Sequence, residues 1–180
     1  MRKIIVAEFI SLDGVVEAPD AWHFPYQNEE MFGAMWALIA EADTMLLGRV
    51  TYQSFAAAFG NAPADDPVAG QMNKPAKIVV SATLTEPTWH NSTVLTGDVV
   101  AGVTALKEQP GETILVTGST RLVRTLLTAG LVDEVNLMVH PIVVGKGERL
   151  FAGDGPQIPL RLISSATFGT GVLHAVYRTA

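Results

Sequence analysis

Three segments of this 180-residue chain place glycine, hydroxyl and arginine side chains directly after short apolar runs. In Leu46-Leu47-Gly48-Arg49-Val50-Thr51 a strand-like run passes through glycine straight into a helical pattern. The first N–H groups of a helix have no intrahelical partner and carry the positive end of its dipole. With the Arg49 guanidinium and the Thr51 hydroxyl they can hold an anion such as phosphate. Leu115-Val116-Thr117-Gly118-Ser119-Thr120-Arg121-Leu122 repeats the arrangement. There Gly118 removes a Cβ where a ligand must near the backbone, and Ser119 or Thr120 can cap the helix. Val79-Val80-Ser81-Ala82-Thr83 sets two hydroxyls after a third apolar run. Each segment taken singly is an ordinary structural joint. Together they point to one extended, phosphate-bearing ligand at the carboxyl ends of strands, where open α/β sheets bind ligands.

Other chemistry is sparse. Trp22-His23-Phe24-Pro25-Tyr26 is an aromatic cluster that either walls a planar ligand or staples its loop to the core. His90 reads as a surface turn residue, and His140 and His174 lie in strand patterns where core or dimer-facing roles are the default. With no cysteine and four scattered histidines, thiol nucleophiles and Cys-ligated metal centres are excluded and no metal is expected. No Walker A loop, Gly-x-Ser-x-Gly elbow or Rossmann fingerprint is present.

Elements that could position these segments alternate along the chain. Strands are predicted over Lys3–Phe9, Thr44–Leu47, Lys77–Val80, Thr93–Leu95 and Thr113–Thr117. Helices are predicted over Asn28–Ala42, from Gly48 to about Phe59, Val99–Glu108 and Ser119–Ala129, with Asn28 as an N-cap and Glu29 and Glu30 complementing the dipole. Gly60–Pro67 and Phe151–Pro156 read as loops. The end of the chain is all strand: Glu134–Val144, where Pro141 suggests an edge or a bulge, then a hairpin of Leu160–Phe168 and Val172–Arg178 about Gly169-Thr170-Gly171. This is an α/β pattern, a mostly parallel central sheet with an antiparallel C-terminal edge hairpin, in a single domain over 1–180.

Composition bounds the function classes. Hydrophobic residues make up 48% and charged residues 17%, which excludes disorder. The net charge of −6 argues against nucleic acid as a partner. No secretory h-region or membrane span is evident, so a soluble cytoplasmic protein is expected.

The chain resembles the dihydrofolate reductase-like superfamily, in the branch related to the reductase domain of the riboflavin-biosynthesis enzyme RibD. Five blocks in order carry the resemblance: Ser11-Leu12-Asp13-Gly14; Leu47-Gly48-Arg49-x-Thr51-Tyr52; Lys77-Ile78-Val79-Val80-Ser81-x-Thr83-Leu84; Val116-Thr117-Gly118-Ser119-x-x-Leu122; and Leu131-Val132-Asp133-Glu134 through Pro141-x-x-x-Gly145-x-Gly147-x-x-x-Leu150-Phe151.

The resemblance implies a three-layer α/β/α fold, NADPH as cofactor and a homodimer. It puts Gly48, Arg49 and Thr51 at the 2′-phosphate and pyrophosphate, and Ser81 and Thr83 beside the adenosine ribose. Gly118, Ser119, Thr120 and Leu122 fall under the pyrophosphate and nicotinamide, although many relatives have two glycines where this chain has Gly118-Ser119. The Ser11–Val15 loop would cover the nicotinamide. Asp13 and Glu30 are the candidate proton donors, against structural readings of Asp13 as a turn residue and Glu30 as a solvated helix-start acid. The activity expected is hydride transfer from NADPH to a small planar heterocyclic or carbonyl substrate. The alternatives are nucleotide binding without turnover and a purely structural module.

Overall fold

In the computed structural model, residues 1–63, 65–151, 153 and 155–179 are described. The predicted loops Gly60–Pro67 and Phe151–Pro156 therefore fall partly outside the described residues, at Ala64, Ala152 and Asp154, as does the last residue of the domain, Ala180. The strands are β1 (Ile4–Ser11), β2 (Ala42–Gly48), β3 (Ala76–Val80), β4 (Ser92–Leu95), β5 (Thr113–Thr117), β6 (Glu134–His140), β7 (Leu160–Thr167) and β8 (Leu173–Thr179). They form one eight-stranded sheet in the order β4-β3-β2-β5-β1-β6-β8-β7. β1 to β6 are mutually parallel, and β8 runs antiparallel to both β6 and β7.

Among the described residues five α-helices cover the sheet: α1 (Glu29–Glu41), α2 (Arg49–Phe59), α3 (Pro67–Asn73), α4 (Val99–Glu108) and α5 (Thr120–Thr128). The period-two alternation of the strands decides which helix packs where. Ile4, Val6, Leu46, Ile114 and Val116 face α4 and α5 through Val103, Leu106, Val123 and Leu126. Ile5, Ala7, Met45, Leu47 and Leu115 turn the other way, onto Ile39, Tyr52 and Met72 of α1, α2 and α3. A strand must be apolar on both sides to lie between two helical layers, and KIIVA, TMLL and TILV satisfy this.

The predicted elements recur, with four differences. Asp66 accepts from Val68 and Ala69 N–H and starts α3, a helix hidden from the sequence by its short length. The predicted strand Glu134–Val144 stops at His140, because Pro141 has no N–H with which to continue the ladder. That strand is interior, between β1 and β8, so the proline marks its end rather than an edge or bulge. Helix α5 begins at Thr120, since Ser119 is left-handed at φ +57°. Among the described residues no helix is long and apolar enough to cross a membrane.

Candidate functional site

Strand register gathers the three predicted segments at one edge. Gly48 pairs with Val80 across β2 and β3, and β5 lies against the other side of β2. Read along the carboxyl edge, Ser81, Gly48 and Gly118 are neighbours. The crossover helices help: α2 leaves β2 on one face of the sheet and α5 leaves β5 on the other, so a crevice opens between two helix starts.

Hydrogen bonds lock those starts together. Gly48 N–H donates to Ser119 Oγ at 2.9 Å, and Ser119 N–H donates to Thr51 Oγ1 at 2.9 Å. Gly118 sits at φ +60°, and a Cβ there would lie 2.9 Å from Thr51 Cγ2. Glycine is thus required twice over, by conformation and by space. Ser119 is also left-handed, which costs a non-glycine residue about 1 kcal/mol or more; its two bonds to the α2 start offset that cost.

Helices α1, α3 and α4 each have a side-chain cap, from Asn28, Asp66 and Asp98. Helices α2 and α5 have no side-chain cap and no acid in their first turn. Instead each carries an exposed arginine at its start, Arg49 and Arg121, where the helix dipole disfavours a cation. Among the described residues Arg49 hydrogen-bonds only Gln53 Oε1, at 3.0 Å. Two uncapped helix starts and two arginines could hold an anion of more than one charge. Arg121 is absent from the sequence-based set; its signal is a cation at the wrong end of a helix.

The remaining predicted residues divide. Ser81 Oγ accepts from Thr83 N–H at 3.1 Å and Leu84 N–H at 2.9 Å, closing its own turn and leaving the hydroxyl hydrogen free, while Thr83 is exposed. Thr120 is half-buried in the first turn of α5. Leu122 is buried among Val6, Ile10 and Val16, so it supports the turn from the core.

Asp13 accepts from Ser11 Oγ at 2.6 Å, Val144 N–H at 3.0 Å and Gly145 N–H at 2.9 Å. These bonds, the Ser11 hydroxyl foremost, hold its carboxyl down at about 2. It is ionised at neutral pH and ties the Ser11–Val15 loop to the segment after β6. Glu30 Oε2 accepts from Gly169 N–H and Asn28 Nδ2, both at 2.7 Å, and so fastens the β7–β8 turn to α1.

The acid that sequence reasoning passed over is Glu8. It stands in β1 one residue after Ala7, the partner of Thr117, and therefore flanks Gly118. It is 5% exposed, and its Oε1 has no hydrogen-bond partner among the described residues. Burial raises its carboxyl well above the ordinary range, against a smaller lowering by the Gly118 backbone. Its signal in the sequence was a lone acid inside an otherwise apolar strand.

The RibD C-terminal domain family matches residues 2–174. The chain belongs to that family. It is a RibD C-terminal reductase-like domain, 29% identical over 98% of its length to the uncharacterized protein YyaP of Bacillus subtilis, 94% of which is covered. The uncharacterized protein YwjB of the same organism is 27% identical, over 97% of this chain and 98% of that protein. Two crystal structures share the fold. A putative riboflavin biosynthesis protein from Shewanella sp. PV-4 superposes with a TM-score of 0.76 at 20% identity, covering 99% of both chains. A pyrimidine reductase-like protein from Corynebacterium diphtheriae gives 0.67 at 14%, covering 99% of this chain and 92% of that one.

Two predictions follow from this geometry. Gly118→Ala should cost about 2 kcal/mol of stability in urea unfolding, from the left-handed backbone and the Thr51 clash; a loss below about 0.5 kcal/mol would show that the turn yields freely. Glu8 binds its proton more tightly folded than unfolded, so native stability falls as pH rises from the ordinary glutamate range toward the raised folded value. Glu8→Gln stays neutral, and its advantage over the native protein should grow as pH rises above the ordinary glutamate range. A pH-independent difference would mean that Glu8 ionises in the fold as it does in water.

Proposed function

We propose that this domain is an NADPH-dependent reductase that delivers hydride to a small planar heterocyclic or carbonyl substrate. The observation that carries the reading is the pair of uncapped helix starts, α2 and α5, bonded to each other through Ser119 and each bearing an arginine. An extended dianionic or trianionic ligand supplies the negative charge those four positive features lack. Gly118, with no room for a Cβ, fits the close passage of a pyrophosphate over the backbone. NADPH, when bound, supplies the hydride.

The protein's part is placement. The N–H groups that open α2 and α5 hold the pyrophosphate, with the free hydroxyl hydrogens of Thr51 and Ser119 as further donors. Arg49 takes the 2′-phosphate, and Ser81 and Thr83 flank the ribose. No carboxylate replaces these groups, as an NAD-type ribose site would have. Along the same edge, beyond Gly118, lie β1 and then His140 at the end of β6. The 18–27 loop covers that end and forms the wall for a planar substrate. Glu8, not Asp13, is the carboxyl that retains its proton when the solvent-facing acids have lost theirs.

Fluorescence titration tests the cofactor. NADPH should bind about 10- to 150-fold tighter than NADH, the worth of one charge-assisted hydrogen bond at about 1.5–3 kcal/mol. Arg49→Ala should remove most of that preference while barely changing NADH binding; an unaltered ratio would defeat the assignment. NADPH that binds but is never consumed with pterin, flavin-precursor or quinone-like substrates would leave a nucleotide-binding protein.

The same reading includes a homodimer. β7 is exposed along nearly its whole length, and Leu162, Ile163 and Leu173 are 52%, 42% and 48% exposed on its hairpin with β8, an apolar surface of the kind that subunits cover. Light scattering at micromolar concentration should give twice the 19.2 kDa chain mass; a 19.2 kDa species alone would refute the dimer.

A further inference from the structure

Glu8 keeps its proton in the reading above without being given a task. It is 5% exposed and shares its face of β1 with the core residues Val6 and Ile10. Its Oε1 has no hydrogen-bond partner, and no ion pair includes it among the described residues. The one group that favours its anion is the Gly118 backbone N–H. Strand register accounts for that meeting. Ala7 pairs with Thr117, and Glu8 follows on one strand as Gly118 follows on the other.

Gly118 therefore belongs to two places at once. Its N–H serves the carboxyl, and the left-handed turn it forms with Ser119 leads into the uncapped start of α5. The titratable side chains of the neighbouring elements are turned elsewhere. β5 has none. On β6, Glu134 and His140 pair with Ile5 and Ser11, and so lie on the opposite face from Glu8, whose partner is Leu137. On α5, Arg124 is held by Leu150 O at 3.0 Å and by Glu148 at 3.4 Å, while Arg121 is exposed. On α4, Lys107 ends on Leu131 O at 2.8 Å and Asp133 at 2.6 Å, and Glu108 is exposed. After β1, Asp13 accepts from Val144 and Gly145 N–H and pairs with Arg149, and Glu17 accepts from Glu148 N–H. An ionised Glu8 would thus hold the Gly118 N–H and set an uncompensated charge beside the turn that must receive an anion. Like charges close together in poorly solvated surroundings disfavour each other strongly.

We propose that Glu8 is a positioning residue for the anion site, acting through Gly118: a polyphosphate ligand seats on the α2 and α5 starts only with the Glu8 carboxyl protonated. Ligand and proton then bind together, and each strengthens the other by the same factor. The inference rests on the reductase reading for the identity of the ligand and adds to it a dependence on pH. Burial already raises the Glu8 carboxyl, so the protein meets its ligand in the competent form until pH exceeds that raised value.

Calorimetric titration of the full chain with NADPH and with inorganic pyrophosphate, over a series of pH values, reads the linkage. Two buffers of unlike ionisation enthalpy count the protons exchanged at each pH. Glu8→Gln is neutral throughout and serves as the reference. The ratio of native to variant affinity, in which titration of the probe's own phosphates cancels, should fall as pH rises above the ordinary glutamate range. A fall of about 5- to 150-fold is the usual span of coupling between two sites. The native protein should also take up as much as one proton more per ligand than Glu8→Gln. A ratio that stays level with pH, or equal proton exchange by the two proteins, is what a merely structural Glu8 would give, and overturns the role. Pyrophosphate that shows the linkage while NADPH does not bind sinks the reductase reading and leaves Glu8 its role. NADPH that binds without the linkage does the reverse, and binding of neither probe removes both.

Discussion

The candidate site depends on the two hydrogen bonds of Ser119. One runs from Gly48 N–H to its Oγ and the other from its own N–H to Thr51 Oγ1, each 2.9 Å long. They join the start of α2 to the start of α5 across adjacent strands. Without them, nothing would fix the spacing between the two positive helix starts at this edge. The polar contacts that hold the crevice open are therefore the same ones that consume the local hydroxyl acceptors. What remains unspent there is donor capacity: the free N–H groups of both helices, two hydroxyl hydrogens and two guanidinium groups. Such a surplus of donors discriminates by charge before it discriminates by shape.

The two acids show how burial and hydrogen bonding push one functional group in opposite directions. Asp13 is surrounded by donors from the Ser11 hydroxyl and the backbone after β6, which stabilise the anion. Glu8 is enclosed by apolar neighbours with one contributing backbone group, which favours the neutral acid. The Ser-x-Asp-Gly motif advertises Asp13, yet its geometry is that of a loop fastener. Glu8 has no motif, and only its strand register against Thr117 sets it beside the Gly118 turn.

Much of this was legible in the residues. Asn28 was readable as a cap, the apolar runs as strands buried on both faces, and Gly48 and Gly118 as the points where strands hand over to helices. Sequence spacing does not contain strand order, so it could not say that Ser81, Gly48 and Gly118 become neighbours. Nor could it say that Ser119 would abandon capping its own helix to bond Gly48. The end of β6 was missed because Val143 and Val144 continue the apolar pattern past Pro141, and propensity alone does not weigh a missing ladder donor against two valines. Helix α3 was missed because seven residues show too little periodicity, although Asp66-Pro67 is an N-cap followed by the residue most suited to the first helical position.

Sheet order also explains why the two ends of the site differ in chemistry. β3, β2 and β5 end within a residue or two of one another and turn at once into helices or tight turns, so their edge is rich in backbone donors. β1 and β6 run several residues further, pairing as far as Ser11 with His140. They overhang the crevice and are covered by the 18–27 loop instead of a helix start. Overhanging strands present side chains where the shorter strands present backbone, and the side chains here are aromatic rings and imidazoles. On the proposed reading, a ligand lying along this edge would pass from an end rich in backbone donors to an end lined by side chains. The one point where both regimes meet is the junction of β5 and β1, where Gly118 stands beside Glu8.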